Sequence, residues 1–393
     1  MEEMLTLRQR FQRYMKREKK KAVIHSWIAL FIIVALMMSL MALDRIKAVS
    51  ANKDPNSRLT VTLVGDMMFG RHIEDVIIKN FGYEYLFQYV RPYFQYSDYV
   101  TGNFENPIVY QAGYPKADKF IHLSTSPEAA KALKEVGFST VSLANNHMKD
   151  YGKQGLLDTL KAFREAKLET VGAGSNLKEA AEVVYQTVNG IKIATLGFSD
   201  VMPVDFRAMH NRSGIAPADP DVWFPQVAKA KKNADLVIVH MHWGLEYDSR
   251  YHPRQRDLGR ALIDAGADIV VGHHPHVLEP VEVYKNGVIF YSLGNFIFDQ
   301  GWTRTRESVL VQYKVLKNDK ARLEIYPLMI REGQPRPLLG WSKVYRRERV
   351  FMQITPERIY SDSWNRTWKR EGDILVRTIP LSPELKGGKK VEQ

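Results

Sequence analysis

Five short apolar runs in this chain each stop at residues that carry chemistry, and this repeated pattern restricts the fold more than any other feature. Leu59-Thr60-Val61-Thr62-Leu63-Val64 ends in Gly65-Asp66, and Asp98-Tyr99-Val100-Thr101 in Gly102-Asn103-Phe104-Glu105-Asn106-Pro107. Thr140-Val141-Ser142-Leu143 ends in Ala144-Asn145-Asn146-His147, and Leu236-Val237-Ile238-Val239 in His240-Met241-His242-Trp243-Gly244. Asp268-Ile269-Val270-Val271 ends in Gly272-His273-His274-Pro275-His276. Parallel strands, buried on both faces, read as such unbroken runs, and ligands collect at their carboxyl ends. An isolated histidine pair is more often a structural cluster in a polar loop. Five strand ends offering Asp, Glu, Asn and His in turn are hard to explain as structure alone. That donor set suits a mid-series divalent ion such as Mn, Fe or Zn better than calcium, which takes oxygen ligands only.

Between the runs lie helical patterns. Ser126 and Pro127 form a cap and a first-turn proline for a helix to Val136, and Gly155 to Ala166 has apolar residues at helical spacing. Further helices are expected over Pro220–Asn233 and Arg254–Ala265. Asn189-Gly190 and Lys285-Asn286-Gly287 signal hairpins joining 183–188 to 191–196 and 281–284 to 288–291. Residues 308–316 and 322–326 add an antiparallel pair. The expected fold is a layered α/β domain of α+β character with mixed sheets. The sequence has no internal repeat, no phosphate-cradling Gly-rich loop and no Ser-centred nucleophile elbow.

The amino end bears on location. Residues 1–21 hold eight Lys or Arg against three Glu, and Ala22 to Leu43 then carry no Asp, Glu, Lys or Arg over 22 residues, enough to span a bilayer. A basic flank stays in the cytoplasm, so everything after Leu43 is expected outside, on a single-pass membrane anchor. A cleaved signal is the rival, because Ala48-Val49-Ser50-Ala51 has small residues. The apolar span is long for that, and Asp44, Arg45 and Lys47 intervene. The absence of cysteine excludes disulfides, thiolate nucleophiles, sulfur-held zinc and a lipoprotein anchor. Of the net charge of +12, residues 1–21 carry +5, residues 44–330 have 34 basic against 33 acidic, and residues 331–393 have 14 against 8. The expected organisation is a cytoplasmic basic segment (1–21), an anchor (22–43), a linker (44–58), the main domain (59–330) and a basic appendage (331–393) that is either a solvated extension or a contact for a polyanion.

Taken in order, Val64-Gly65-Asp66-Met67-Met68, Gly102-Asn103-Phe104-Glu105-Asn106-Pro107, Asn145-Asn146-His147-Met148-Lys149-Asp150, His242-Trp243-Gly244-Leu245-Glu246-Tyr247, Gly272-His273-His274-Pro275-His276 and Tyr291-Ser292-Leu293-Gly294-Asn295-Phe296 resemble the CapA (PgsA) family. That family serves bacterial poly-γ-glutamate capsule synthesis and belongs to the calcineurin-like metallophosphoesterase superfamily. The likeness runs from about Leu59 to Leu328. It implies a four-layer sandwich of two mixed sheets between helices, with a metal site at the strand ends. It also implies Asp66, Glu105, Asn146, His242, His274 and His276 as metal ligands and His147 as the catalytic proton donor. His240 and His273 are then orienting neighbours; in an active site Arg304 or Arg306 would hold substrate charge, the alternative for both being solvated surface residues. One residue departs from the pattern: the usual Asp-x-His of the first strand is Asp66-Met67-Met68, which removes a nitrogen ligand. One or two ions, or none, are the outcomes this leaves. The resemblance implies an anchored, outward-facing subunit working with other membrane subunits of a polyglutamate synthase on an anionic polymer. Nucleic acid is not an expected partner. The alternative is a cell-surface metal-dependent phosphoesterase-like hydrolase, since fold alone does not choose function.

Overall fold

A computed structural model of the chain describes residues 6–43, 53–355 and 366–386. It divides into two units, residues 1–47 with 339–345 and residues 48–338 with 346–393. In the first, a basic helix, Leu7–Lys19, is followed by a helix over Ala22–Leu43. The second helix is long and apolar enough to cross a membrane: mean hydropathy over Ala22–Ser39 is 2.2 and none of that window is buried. The small-residue stretch Ala48–Ala51 and most of the expected linker lie outside the described residues.

The second unit is built on two large sheets. In the ten-stranded sheet, Ser57–Met67 is central, parallel to Tyr99–Phe104 on one side and antiparallel to Glu307–Leu316 on the other. Thr140–Ser142 and Glu169–Val171 extend the parallel side. The six-stranded sheet has a parallel centre of Ile191–Ser199, Leu236–His242, Ile269–His273 and Gly287–Phe290, with an antiparallel hairpin strand at each edge. Strand alternation decides how they stack. Leu59, Val61 and Leu63 point one way and meet Ile193, Ile238, Ile269, Val271 and Phe290 of the other sheet. Val64, Val100 and Phe104 join the opposite cluster, against Leu133 and Phe163 of the helices Glu128–Val136 and Gly152–Glu165. On the far face of the six-stranded sheet, Val237, Val239 and Val270 pack on Trp223 and Val227 of Pro220–Asn233 and Leu262 of Pro253–Ala265. The order is therefore helices, sheet, sheet, helices: a four-layer sandwich. Each fully buried Val, Leu or Ile contributes about 1.5–3 kcal/mol, so three apolar interfaces hold the strand ends in place.

Local departures have local causes. Ser126 does not cap the helix after it, because its hydroxyl is hydrogen-bonded with the Tyr83 hydroxyl at 2.8 Å. The hairpin at Asn189-Gly190 has both residues left-handed, φ 52° and 76°, as a primed turn requires. The other hairpin turns one residue earlier than its Asn-Gly signal: Tyr284 pairs with Gly287, and Lys285 takes the positive φ of 52°. Gly287, a strand residue, has no room for a side chain, since a Cβ there would lie 2.6 Å from Ile263 Cδ1. The segment after Arg331 is more integrated than a tail or appendage. Gln334–Pro337 and Ile374–Pro380 both pair with Lys320–Arg331, and Val350, Phe351 and Ile354 of the helix Lys343–Ile354 enter the inter-sheet core.

Candidate metal centre

Register brings the chemistry to one edge. Asp66 stands opposite Asn103 on one neighbour and Asn295 on the other, Asn103 opposite Ser142, and His273 opposite His242. The chain turns just beyond these pairs, placing Glu105, Asn146, His147, His274 and His276 beside them. His274 and His276 have left-handed backbones, φ 97° and 57°, a conformation that costs a non-glycine residue about 1–3 kcal/mol. Hydrogen bonds over-determine it: the His274 amide donates to Asp66 Oδ2 at 3.1 Å, and His276 Nδ1 lies 2.9 Å from Asn295 Oδ1. Gly272 lets the strand pass beneath Tyr291, for a Cβ there would sit 1.8 Å from the Tyr291 carbonyl oxygen.

Asp66 and Glu105 are fully buried. Asn103 Nδ2 donates to Asp66 Oδ1 at 2.9 Å and reaches Glu105 Oε2 at 3.4 Å, holding the two acids side by side. His273 Nδ1 lies 3.0 Å from Asp66 Oδ1, close enough for attraction though off the line of a hydrogen bond, and His276 Nδ1 is 3.5 Å from Oδ2. Burial works to raise the Asp66 pKa, but these two imidazoles outweigh it and hold it well below the ordinary carboxylate range. Glu105 goes the other way: burial, then Asp66, push it well above that range. Burial favours neutral His276, yet Glu105 and Asp66 override it and raise its pKa to about 9, so His276 carries a proton between two acids. Burial keeps His274, at about 3, and His242 neutral, ready as nitrogen donors.

The donor geometry fits a divalent ion. Ligand atoms of Glu105, His242 and His274 lie within 4.8 Å of one another, and so do those of Asp66, Glu105 and His276. Glu105 Oε1 is 3.8 Å from His242 Nε2 and 3.7 Å from His276 Nε2, and Asn146 Oδ1 is 3.1 Å from His242 Nε2. Donors about 2.0–2.1 Å from a shared tetrahedral ion sit about 3.4 Å apart. Glu105 Oε1, His242 Nδ1 and His274 Nδ1 are buried with no hydrogen-bond partner. Buried polar groups without partners are rare and need an explanation.

His147 stands at the rim. Its Nδ1 is 2.7 Å from Asp150 Oδ2, and Asp150 also accepts from Lys119 Nζ and the Leu123 amide, each at 2.7 Å. That arrangement fixes the proton on Nδ1 and turns Nε2 away from it. Burial lowers the His147 pKa despite Asp150. His240 lies behind the centre, its Nδ1 2.9 Å from His273 Nε2 and its Nε2 2.8 Å from Thr101 Oγ1. The two arginines are not brought into the histidine cluster. Arg306 donates to the Ile330 carbonyl at 2.9 Å, and Arg304 lines a separate cleft of about 520 Å³ with Arg250 and Arg349. Sequence reasoning left Asn103, Asp150, Asn295 and Lys119 without roles. Asp150 was discernible three positions after His147, whereas Lys119 lies in an irregular loop with no pattern to single it out.

The chain is similar to several known proteins. The profile of a family described as bacterial capsule synthesis protein PGA_cap matches residues 60–300. A capsule biosynthesis protein CapA of Bacillus anthracis is 46% identical over 378 residues, covering 94% of this chain and 90% of its own. A PGA biosynthesis protein CapA of Bacillus subtilis (strain 168) is 46% identical over 387 residues, covering 98% and 100%. Among solved structures, the calcineurin-like phosphoesterase YfkN from Bacillus subtilis aligns with a TM-score of 0.36 at 16% identity, over 71% of this chain and 87% of that one. With the profile spanning every strand-end motif and two relatives alike over nearly the whole chain, this protein belongs to the bacterial capsule synthesis protein PGA_cap family.

Proposed function

We propose that this protein is a membrane-anchored subunit of poly-γ-glutamate capsule synthesis whose sandwich domain handles the anionic polymer outside the cell membrane. The observation that carries the reading is coverage. The likeness to a PGA biosynthesis protein takes in 98% of the chain, apolar helix included. The helix Leu7–Lys19 ends in Lys16, Arg17 and Lys19, a basic flank that keeps the amino end in the cytoplasm. Other membrane subunits of the synthase are the expected partners.

Glu105, Asn146, His242 and His274 are suited to hold one divalent ion of the Mn, Fe or Zn class, and Asp66 with Glu105 and His276 a second. Such an ion, when bound, polarises a substrate oxygen and lowers the pKa of a coordinated water. His147, its Nδ1–H held by Asp150, presents Nε2 as a proton acceptor for a water or substrate group, and Lys119 fixes Asp150 in turn. Arg304 has no side-chain partner among the described residues, and the cleft it shares with Arg250 and Arg349 suits repeated carboxylates.

The test is genetic. Deleting the gene should abolish extracellular poly-γ-glutamate, and the full chain should restore it. Complementation with a folded His147→Ala chain then separates two roles. Polymer made at normal levels means the subunit acts by assembly, and polymer lost means the site is catalytic or binds polymer. Undiminished polymer in the deletion strain would defeat the capsule reading and favour a free-standing surface hydrolase.

A further inference from the structure

The first strand offers Met68, fully buried, where the superfamily pattern has a histidine, so this centre is one donor short. A candidate donor comes from the rim. Beyond Leu236–His242 the chain runs through Trp243-Gly244-Leu245-Glu246-Tyr247, and both ends of this turn are tied to the histidine loop. The Trp243 amide donates to the His273 carbonyl at 3.1 Å and the Tyr247 amide to the Pro275 carbonyl at 2.8 Å. Gly244 and Tyr247 are left-handed, φ 86° and 65°, which folds the segment back over the loop. Gly244 leaves no room for a side chain, since a Cβ would lie 2.8 Å from the Gln255 amide nitrogen.

The turn delivers the Glu246 carboxylate to within 4.8 Å of ligand atoms on both His274 and His276. Two further observations bear on its use. His274 Nδ1 is buried without a hydrogen-bond partner. Among the described residues no lysine or arginine pairs with Glu246, although it is an exposed acid. The turn, strained and tied at both ends, presents to two imidazoles a carboxylate that no cationic side chain neutralises among the described residues. One carboxylate with two imidazoles is a donor set for Mn, Fe or Zn.

We propose that Glu246 is a metal ligand of this protein, binding a divalent ion from the solvent side together with His274 and His276. The proposal rests on the metal reading above and adds a residue to it. As the exposed member of an otherwise buried ligand set, Glu246 is also the donor an incoming anionic group would displace most readily.

The test uses the full chain in detergent micelles, stripped with chelator and titrated with Mn²⁺ by calorimetry, with bound metal counted by elemental analysis. Glu246→Gln and Glu246→Ala should weaken Mn²⁺ binding by about 10- to 100-fold or more, or remove one ion from the count. Because the side chain is exposed, the metal-free thermal midpoint of both variants should match the parent. If both bind Mn²⁺ with parental affinity and count while His274→Ala does not, Glu246 is a rim carboxylate and the metal centre stands without it. If the parent takes up no Mn²⁺, Fe²⁺ or Zn²⁺, the metal reading fails and the proposal with it.

Discussion

Glu105 sits where it lowers stability until a cation arrives, so replacing it should strengthen the protein in one condition and weaken it in another. Its carboxylate is fully buried, Oε1 has no hydrogen-bond partner, and Oε2 receives only the 3.4 Å contact from Asn103. A buried polar group left without a hydrogen bond costs about 1–3 kcal/mol. Glu105→Gln keeps the shape and removes the ionisable carboxyl, so in chelator at pH 8 the variant should be more stable than the parent by about 1–3 kcal/mol. The pH dependence carries the same sign. A carboxyl group whose folded pKa is raised binds its proton more tightly when folded, so stability falls as pH rises from the unfolded value of about 4.3 through the folded one. His276 adds to this: its contribution is complete below its unfolded pKa of about 6.5 and is lost as pH rises through about 9. Above about pH 7, where the histidines that burial keeps neutral are unprotonated in both states, the metal-free parent should therefore weaken as pH rises through about 9, and Glu105→Gln should show a flatter profile there. Mn²⁺ at 100 times its dissociation constant stabilises a binding protein by about 2.7 kcal/mol. The parent should gain this and the variant much less, inverting their order. Thermal melts with chelator and with Mn²⁺ read both halves. A variant less stable than the parent in chelator, or one gaining as much from Mn²⁺, would refute the reasoning.

Two other outcomes are expected. Protease added to intact, wall-stripped cells should remove the sandwich domain and spare a tag at residue 1; a protected domain would reverse the proposed orientation. Gly272→Ala places a Cβ against the Tyr291 carbonyl and 2.5 Å from Trp243 Nε1, disturbing the 2.8 Å bond between them. Overpacking of about 1–3 kcal/mol and a strained buried hydrogen bond of about 1–3 kcal/mol together predict a loss of about 2–6 kcal/mol, read as a lowered melting point with and without metal.

The strand ends were legible because a parallel strand buried on both faces changes from apolar to polar where it emerges, which marked Asp66, Glu105, Asn146, His147, His242, His274 and His276 before any geometry was known. What sequence does not show is which partner a long side chain meets. Arg304 and Arg306 stand two apart in one basic run, yet Arg306 is engaged by the Ile330 carbonyl while Arg304 opens onto a cleft. Lys119 reaches Asp150 only because an irregular loop folds back over the strand ends. Ile374–Pro380 was missed for a similar reason: Arg377 and Thr378 interrupt its apolar run, and its partner lies more than forty residues away, at Lys320–Arg331.

Because Ser57–Met67 occupies the middle of the larger sheet, the timing of biosynthesis matters to this protein. Thr60 pairs with Lys314, 254 positions later, and Lys320–Arg331 completes its own pairing only with Ile374–Pro380. A ribosome adds about 5–20 residues per second, so the first strand waits on the order of 10–50 s for that neighbour. Until Ile193 and the later strands of the other sheet have been made, Leu59, Val61 and Leu63 lack most of the apolar face they pack against. A message truncated before codon 374 would leave Lys320–Ile325 as an unpaired edge, since Gln334–Pro337 covers only Leu328–Arg331, and unpaired edges can recruit other chains into aggregates. Shortened products should therefore be removed by cellular quality control, and would not persist as partial subunits competing with the intact protein.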